Sequence, residues 1–299
     1  MEITKKIKQE VETEVITKLD VSYRKLITLP PLPPTLKELN CGYNKFTALP
    51  PFPSALEVLD CSSNNLIALP PLPLTLKVLC CSGNKFTTLP PLPPMLEVLN
   101  CTGNQLTALP FLPPGLKKLN CDDNEFTALP LLPPGLEVLD CGGNQLTALP
   151  LLSPMLKVLY CWDNKLTALP LLPPGLEMLN CTGNQLTTFP HLPSTLKMLY
   201  CWYNHFTALP PLPPALEKLY CSSNQFIALP PLPPMLRELR FSPGYLLYTE
   251  ETIDEIRKEQ WHNLFMVNYV VSRITEELGY GKESGVSFKW LENEIIKRF

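Results

Sequence analysis

The sequence is dominated by a 20-residue repeat that keeps its phase from residue 36 to residue 235 without an insertion. The unit reads L-x-x-L-x-C-x-x-N-x-[LF]-x-x-L-P-x-L-P-x-x, and ten copies begin at Leu36 and at every twentieth residue through Leu216. A degenerate copy precedes them from Ile16, and a half copy follows up to Phe241. A period of this length is typical of solenoids, in which each unit buries its apolar side against its neighbours.

The residues within one unit predict its path. Leu39 and Cys41 are two positions apart and therefore point to the same side of a short strand. Asn44 follows, and its amide is expected to bond the backbone of the turn and of the next coil. The segment from Leu49 to Pro53 cannot be helical, because proline lacks the N–H donor and restricts the residue before it. The sequence thus predicts a repeat solenoid with parallel inner strands and an extended, polyproline-like convex side.

Composition limits the classes of partner. The formal net charge is −3 and the isoelectric point is about 5.7, which disfavours binding to nucleic acid or to anionic membranes. No apolar stretch reaches the roughly 18 residues that a membrane span needs. The segment from Met1 to Val15 alternates Lys and Glu and lacks the apolar core of a secretory signal. We therefore expect a cytoplasmic protein without membrane insertion.

The L-P-x-L-P unit resembles the repeats of bacterial effector leucine-rich repeat proteins of the YopM and IpaH types, over about residues 16–241. Cysteine stands where those repeats usually carry valine or another aliphatic residue. The resemblance implies a leucine-rich repeat fold and an effector-like protein that is delivered to the cytosol of a host cell and acts there on host proteins. The ligase domain of the IpaH type is not expected, because too few residues follow Phe241.

Ten of the 11 cysteines share one inward position of the repeat, beginning at Cys41 and ending at Cys221. Free cysteine behaves there as a small apolar residue, so core packing is the expected role. The IpaH resemblance brings a C-x-D motif into view, which Cys121 and Cys161 match, but their inward position argues against a catalytic thiol. Cys80 takes an outward strand position and is expected to be an accessible thiol. No metal or cofactor site is expected.

The candidate binding surface lies on the concave strand face, where solenoids usually bind partners. Outward positions of the first coils carry Asp and Asn, whereas later coils carry Tyr and Trp, which are enriched in interface hot spots. A stripe of Val and Met runs beside them. The predicted partner-binding residues are Val158, Tyr160, Trp162, Asp163, Met178, Met198, Tyr200, Trp202, Tyr203, His205 and Tyr220.

The predicted domain organisation has three parts: a short N-terminal cap at 1–15, the solenoid of about 11 units at 16–241, and a helical C-terminal cap at 242–299. Helices are expected from Thr249 to Leu278 and from Phe288 to Arg298, since an open solenoid end needs a cover.

The sequence predicts a non-enzymatic scaffold that binds a partner protein on its concave face. Two alternatives stay open. One is an adaptor for a ubiquitin ligase or another enzyme complex that docks through the C-terminal helices. The other is a self-assembling structural protein that stacks through its ends or its Val/Met stripe. The oligomeric state is not fixed by the sequence.

Overall fold

The structure is a computed structural model, and it describes residues 16–226, 229–241, 247–248 and 253–260. The expected N-terminal cap at 1–15 lies outside the described residues. So do the second expected helix, from Phe288 to Arg298, and most of the first. Within the described part, no helix is long and apolar enough to cross a membrane.

Each coil of the chain contributes one strand of three residues to a single sheet, and the next coil adds its strand beside it in parallel. The register advances by 20 residues at each step, as in the pairing of Leu39 with Leu59. The strands are β1 Lys18–Asp20, β2 Glu38–Asn40, β3 Val58–Asp60, β4 Val78–Cys80, β5 Val98–Asn100, β6 Lys118–Asn120, β7 Val138–Asp140, β8 Val158–Tyr160, β9 Met178–Asn180, β10 Met198–Tyr200, β11 Lys218–Tyr220 and β12 Glu238–Arg240. The predicted leucine-rich repeat solenoid is confirmed.

The core is a set of ladders of identical residues running along the solenoid. Leu39, Cys41 and their equivalents in the ten full units are buried, as are the Leu or Phe side chains at the position of Phe46 from that residue to Phe206. Because the side chains of a strand alternate between its two faces, the middle residue of β2–β12 is buried and its two neighbours are partly or fully exposed. The inward role predicted for the cysteine ladder is confirmed, and each of its thiols is free.

The asparagine ladder fastens each coil to the one before it. Asn64 Oδ1 accepts a hydrogen bond from the Phe46 amide at 3.0 Å, and Asn64 Nδ2 donates to the Cys41 carbonyl at 3.1 Å. The same amide group also donates to the Cys61 and Ser62 carbonyls of its own turn. The predicted bond to the turn is confirmed, but the predicted bond to the next coil is wrong. The turn places the asparagine side chain against the preceding coil, whose backbone groups would otherwise be buried without partners.

The convex side is built differently. Backbone hydrogen bonds between neighbouring described coils start near position 37 and end near position 45, as in Lys45 N–H to the Leu26 carbonyl at 2.8 Å. From 47 to 55 the backbone hydrogen bonds of the described coils lie in turns inside one coil, such as Leu56 N–H to the Pro53 carbonyl. Tightly bonded strands on one side and proline-rich extended segments on the other give a solenoid that curves with the strands inside.

Two elements close the C-terminal end of the sheet. Strand β13, Leu247–Tyr248, pairs antiparallel with β12, which sequence analysis did not predict. Residues 253–260 form helix α1, which lies within the helix expected from Thr249. Arg257 donates to the Pro233 and Leu236 carbonyls at 2.8 and 2.7 Å, and Ile253 is fully buried. Helix α1 therefore covers the last coil.

Candidate partner-binding surface

The strand face displays the outer two residues of each three-residue strand together with the residue that follows the buried cysteine. In strand β10 these are Met198, Tyr200 and Trp202, and all three are partly exposed. Because the register repeats every 20 residues, equivalent side chains form rows along the solenoid. The row of Tyr200 reads Asp or Asn in most early coils and becomes aromatic from Tyr160 onward, although Asn180 interrupts it.

The C-terminal part of this face carries a connected cluster of rings, here called the aromatic cluster: Tyr200, Trp202, Tyr203 and Tyr220. The Tyr200 and Tyr220 rings meet edge to face with centroids 5.0 Å apart. Trp202 lies 6.1 Å from Tyr220 and 6.3 Å from Tyr203. Contacts of this kind fix the ring orientations before any partner arrives.

Charged residues at the sheet's end complete the cluster, and sequence analysis did not select them. The Arg240 guanidinium lies 4.6 Å from the Tyr220 ring centroid, within cation–π range. The Tyr220 hydroxyl donates to Glu238 at 2.6 Å, and Glu238 also pairs with Lys218 at 2.6 Å. The 20-residue register could have predicted the contact between Arg240 and Tyr220, because Arg240 directly follows Tyr220 in its row.

Tyr160 and Trp162 form a separate group. The coil with Asn180 and Thr182 lies between them and the aromatic cluster. The Tyr160 hydroxyl contacts Met178 Sδ instead, and the Trp162 ring covers Gly142 so closely that a Cβ there would overlap it. The predicted aromatic residues therefore form two sets, with the coil that carries Met178 between them.

Methionines of the strand face join these groups. Met178 and Met198 are paired neighbours in β9 and β10, and Val158 precedes them in the same row. The Tyr200 hydroxyl lies 3.8 Å from Met198 Sδ. Methionine sulfur packs favourably against aromatic rings, and the flexible methionine side chain adapts to its neighbours. This row therefore supplies an adaptable apolar surface beside the tyrosines.

The rim of the face has a left-handed backbone in every coil where it is described from Tyr23 to Ser223. Glycine occupies four of these positions, but Tyr203 has φ 49° and Asp163 has φ 43°. A bulky side chain in this region costs free energy that glycine does not. Both side chains are exposed, and so is His205, whose backbone N–H bonds the Leu186 carbonyl at 2.9 Å.

Two carboxyl groups lie between the polar and the aromatic parts of the face. The pKa of Asp140 is raised to about 6, first by burial and then by the nearby Asp122 carboxylate, against hydrogen bonds from Gly142 N–H and Trp162. Burial also raises the pKa of Asp122, whose carboxylate accepts a hydrogen bond from the Thr102 hydroxyl. The charged forms of both groups are thus disfavoured by the fold.

Burial keeps the thiols of the described cysteine ladder in their neutral form. Burial raises the pKa of Cys41 and Cys101 to about 12, so the ladder carries neutral thiols rather than nucleophilic thiolates. Cys80 is partly exposed, as predicted, and burial raises its pKa as well. Across the described part of the chain, no group of three or more His, Cys, Asp or Glu residues is placed to hold a metal ion.

A second aromatic contact lies at the opposite end and was missed by sequence analysis. Tyr23 and Tyr43 stack with ring centroids 4.2 Å apart and planes 9° from parallel. They occupy the same left-handed rim position as Tyr203, with φ 56° and 54°. Nearby, a cleft of about 550 Å³ is lined by residues that include Lys18, Asp20 and Asp60.

Comparison with solved structures finds several leucine-rich repeat proteins. YopM from Yersinia enterocolitica WA-314 is 38% identical with a TM-score of 0.72, over 74% of this chain and 51% of that chain. The present chain thus spans about half the length of that protein. YopM from Yersinia pestis, described as a leucine-rich effector protein, is 35% identical with a TM-score of 0.64, over 77% of each chain.

A functional domain of InlJ from Listeria monocytogenes, described as including a cysteine ladder, is 24% identical with a TM-score of 0.62. It covers 76% of this chain and 57% of that chain, and the likeness concerns the fold alone. No protein-family model matches the sequence, and no curated protein does.

Proposed function

Because the chain belongs to the leucine-rich repeat family that includes the YopM effector proteins, we propose that it binds a partner protein through the aromatic cluster on its concave strand face. The fold is that of a protein-interaction scaffold. The proposed role is non-enzymatic, and it needs no cofactor or metal.

The aromatic cluster is the observation that carries this proposal. Its four rings lie on the two consecutive strands β10 and β11 and in the loop after β10, and ring–ring contacts of 5.0–6.3 Å between centroids hold them in place. Tyr and Trp at a pre-ordered surface lose little conformational freedom on binding, which is why they dominate interface energetics. Tyr203 also occupies a backbone conformation that glycine would adopt more easily, so stability alone does not explain its presence.

Charges beside the rings define the chemistry of the partner. Three carboxyl groups lie on the side of Tyr160 and Trp162, namely those of Asp122, Asp140 and Asp163. Arg240 lies at the far edge of the aromatic cluster. A segment that crosses the strands would meet carboxylates first and rings next. We therefore infer an apolar segment with basic residues at the end that meets the acidic side, which would orient it.

Helix α1 is proposed to be a cap rather than an adaptor's docking element. The Arg257 guanidinium donates a hydrogen bond to the Pro233 carbonyl of the last coil. Gln260 Oε1 accepts from Leu232 N–H at 3.0 Å, and Gln260 Nε2 donates to the Pro230 carbonyl at 3.2 Å. Side chains engaged in this way are not free to recognise a ligase subunit. This favours the domain division predicted from the sequence, with a C-terminal cap following the solenoid.

Action on host proteins is proposed from the family alone. The related Yersinia pestis protein is described as an effector. We infer the same setting for this chain, in which it is delivered to the cytosol of a host cell and binds its target there. The concave site would then select the host protein.

A paired pull-down from eukaryotic cell lysate tests the binding site. The variant is Trp202→Ala with Tyr220→Ala. The matched control is Thr102→Ala with Asn120→Ala, which changes the same two repeat positions in the polar half. A protein captured by the wild type and by the control, but lost by the aromatic variant, is the expected result. Each anchor is worth about 2 kcal/mol or more, so the affinity should fall at least about 100-fold.

Circular dichroism and thermal unfolding must show that the variant and the control fold alike. Equal capture by all three baits would move the site away from the aromatic cluster. Equal loss in the control would show that the whole strand face is needed and that the rings have no special role.

A further inference from the structure

Four large apolar side chains stand almost fully exposed on the convex side. Phe111 is 94% exposed, Leu131 is 85%, and Leu151 and Leu171 are each 81%. They occupy the same repeat position in four successive coils, so they form one line along the solenoid, here called the convex stripe. Contiguous apolar surface of this kind is rare on a protein that stays alone in solution.

The convex stripe is confined to the middle of the solenoid. It follows strands β5 to β8, with four parallel strands before it and four after it. At the same repeat position the other described coils carry Pro31, Pro51, Pro71, Pro91, His191, Pro211 and Pro231. Every one of these positions is exposed, so the fold leaves the choice of residue open, and the large apolar ones occur only in the centre.

This confinement matches the geometry of two solenoids placed back to back. Two convex arcs touch over their middle coils and diverge toward their ends. Large apolar side chains at the repeat position of Phe111 would therefore contribute to the contact only in the central coils, and at this position they occur only there. A partner lying along the whole convex side would not explain why the outer coils return to proline.

The surroundings of the convex stripe carry no charge. The convex segments 106–115, 126–135, 146–155 and 166–175 contain no Lys, Arg, Asp or Glu. Two identical copies of this surface do not repel each other, whereas selection of a different partner by charge would need a charged rim. A twofold axis between Leu131 and Leu151 makes the line self-complementary.

We propose that the convex stripe is the interface of a homodimer in which two copies pack back to back and antiparallel. In this arrangement Phe111 faces position 171 of the second copy, and Leu131 faces position 151. The concave strand faces then point away from each other. The dimer is bivalent, with one partner-binding site on each outer side.

The size of the convex stripe sets the expected strength. Four such side chains present on the order of 500 Å² of apolar surface per copy. A standard stable interface buries about 800 Å² per partner. The dimer should therefore be weak and concentration-dependent, with a dissociation constant on the order of 10–100 µM.

Sedimentation velocity over a range of concentrations tests the interface. The wild type should shift from monomer to dimer, and Leu131→Glu with Leu151→Glu should raise the dissociation constant at least tenfold. The matched control is Ile67→Glu with Leu74→Glu, two apolar residues that are 67% and 73% exposed outside the convex stripe. The control should dimerise as the wild type does. Leu131→Ala with Leu151→Ala, which adds no charge, should weaken the dimer in the same direction.

Disulfide trapping tests the antiparallel order in a Cys80→Ser background. A copy with Phe111→Cys mixed with a copy carrying Leu171→Cys should form a cross-linked dimer under mild oxidation. Phe111→Cys alone should not, because its two thiols would be three coils, or about 15 Å, apart. Cross-linking of Phe111→Cys with itself would overturn the antiparallel order.

A wild type that stays monomeric up to about 1 mM would overturn the dimer, since even weak interfaces associate at that concentration. A dimer that persists unchanged in Leu131→Glu with Leu151→Glu would overturn the convex stripe as its interface. Trp202→Ala with Tyr220→Ala should leave the dissociation constant unchanged, so that failure of the dimer and failure of partner binding are separate results.

Discussion

The two halves of the strand face share one scaffold and differ in what they display. From β1 to β7 the outer strand position and the residue after the cysteine are mostly Asp, Asn, Ser and Thr, whereas from β8 to β12 Tyr and Trp predominate. The buried leucine and cysteine ladders and the asparagine bonds continue through both halves with nearly the same distances. In this solenoid the side chains that stabilise the stack of coils are therefore different from the side chains that the strand face presents to solvent.

The two halves of the strand face also differ in the contacts that their side chains make with one another. In the polar half, side chains bond locally: Asp20 accepts from Ser22, and Asn40 donates to Asp20 at 3.4 Å. In the aromatic half, Tyr200 and Tyr220 contact each other through their rings. The polar side chains of the first half hydrogen-bond one another, while the second half keeps partly exposed aromatic area.

The largest predicted effect tests whether the scaffold is the same under both halves. Asn84→Ala in the polar half and Asn184→Ala in the aromatic half should each lower the free energy of unfolding by about 3 kcal/mol. Each asparagine is buried, accepts from a leucine N–H at 3.0 Å and donates to three carbonyls. Urea unfolding followed by circular dichroism measures both.

Equal losses, within about 1 kcal/mol, would show that the surface chemistry does not alter the scaffold. A much larger loss in one half would mean that its outer side chains contribute to holding the coils together, and the separation drawn above would not stand.

The next effect concerns the boundary between the halves. The pKa of Asp140 is raised to about 6, so the folded state binds a proton that the unfolded state releases near pH 4. The free energy of unfolding should fall as pH rises from about 4 to about 6. Asp140→Asn removes this loss and should stabilise the protein at pH 7 by about 1 kcal/mol, a figure kept small because the carboxyl is partly exposed to solvent.

Asp20→Asn is the matched control at the same repeat position. The hydrogen bonds from Ser22 lower the pKa of Asp20, so its charge favours folding, and this contribution is lost as pH falls through the folded pKa. The variant should be slightly less stable than the wild type at pH 7. Thermal unfolding from about pH 2 to about pH 8 gives both curves, and stabilisation by both variants would contradict the assignment to local neighbours.

The smallest effect concerns the left-handed rim. Ser63→Gly should stabilise the protein by about 0.5–1 kcal/mol, because Ser63 has φ 52° and glycine adopts that conformation freely. Tyr203→Gly should leave stability within about 0.5 kcal/mol of the wild type, since relief of the backbone is offset by loss of the Trp202 contact. Differential scanning calorimetry resolves the two.

The same Tyr203→Gly variant should bind the partner at least about tenfold more weakly in the pull-down titration. A large loss of stability in Tyr203→Gly would show that this ring serves the scaffold. Unchanged binding would remove Tyr203 from the proposed site.

Sequence reasoning located most of the candidate site because the register is fixed at 20 residues. The row that carries Tyr160, Tyr200 and Tyr220 could be read directly from the spacing. Arg240 lies in the same row but was not selected, although its cation–π contact with Tyr220 follows from that register. The stacked pair of Tyr23 and Tyr43 was missed because the rim conformation places those rings together, and a strand pattern does not describe it.

The sequence alone determined the number of coils, the inward ladders and the side on which each residue of a unit lies. These follow from periodicity, because a strict 20-residue repeat stacks in one way and strand side chains alternate. The tertiary structure decided which neighbour each side chain meets. It turned the asparagine ladder toward the preceding coil and placed Trp162 over Gly142. It also left Phe111 and Leu131 exposed on the convex side. Such choices depend on the twist and spacing between coils, which the repeat pattern does not encode.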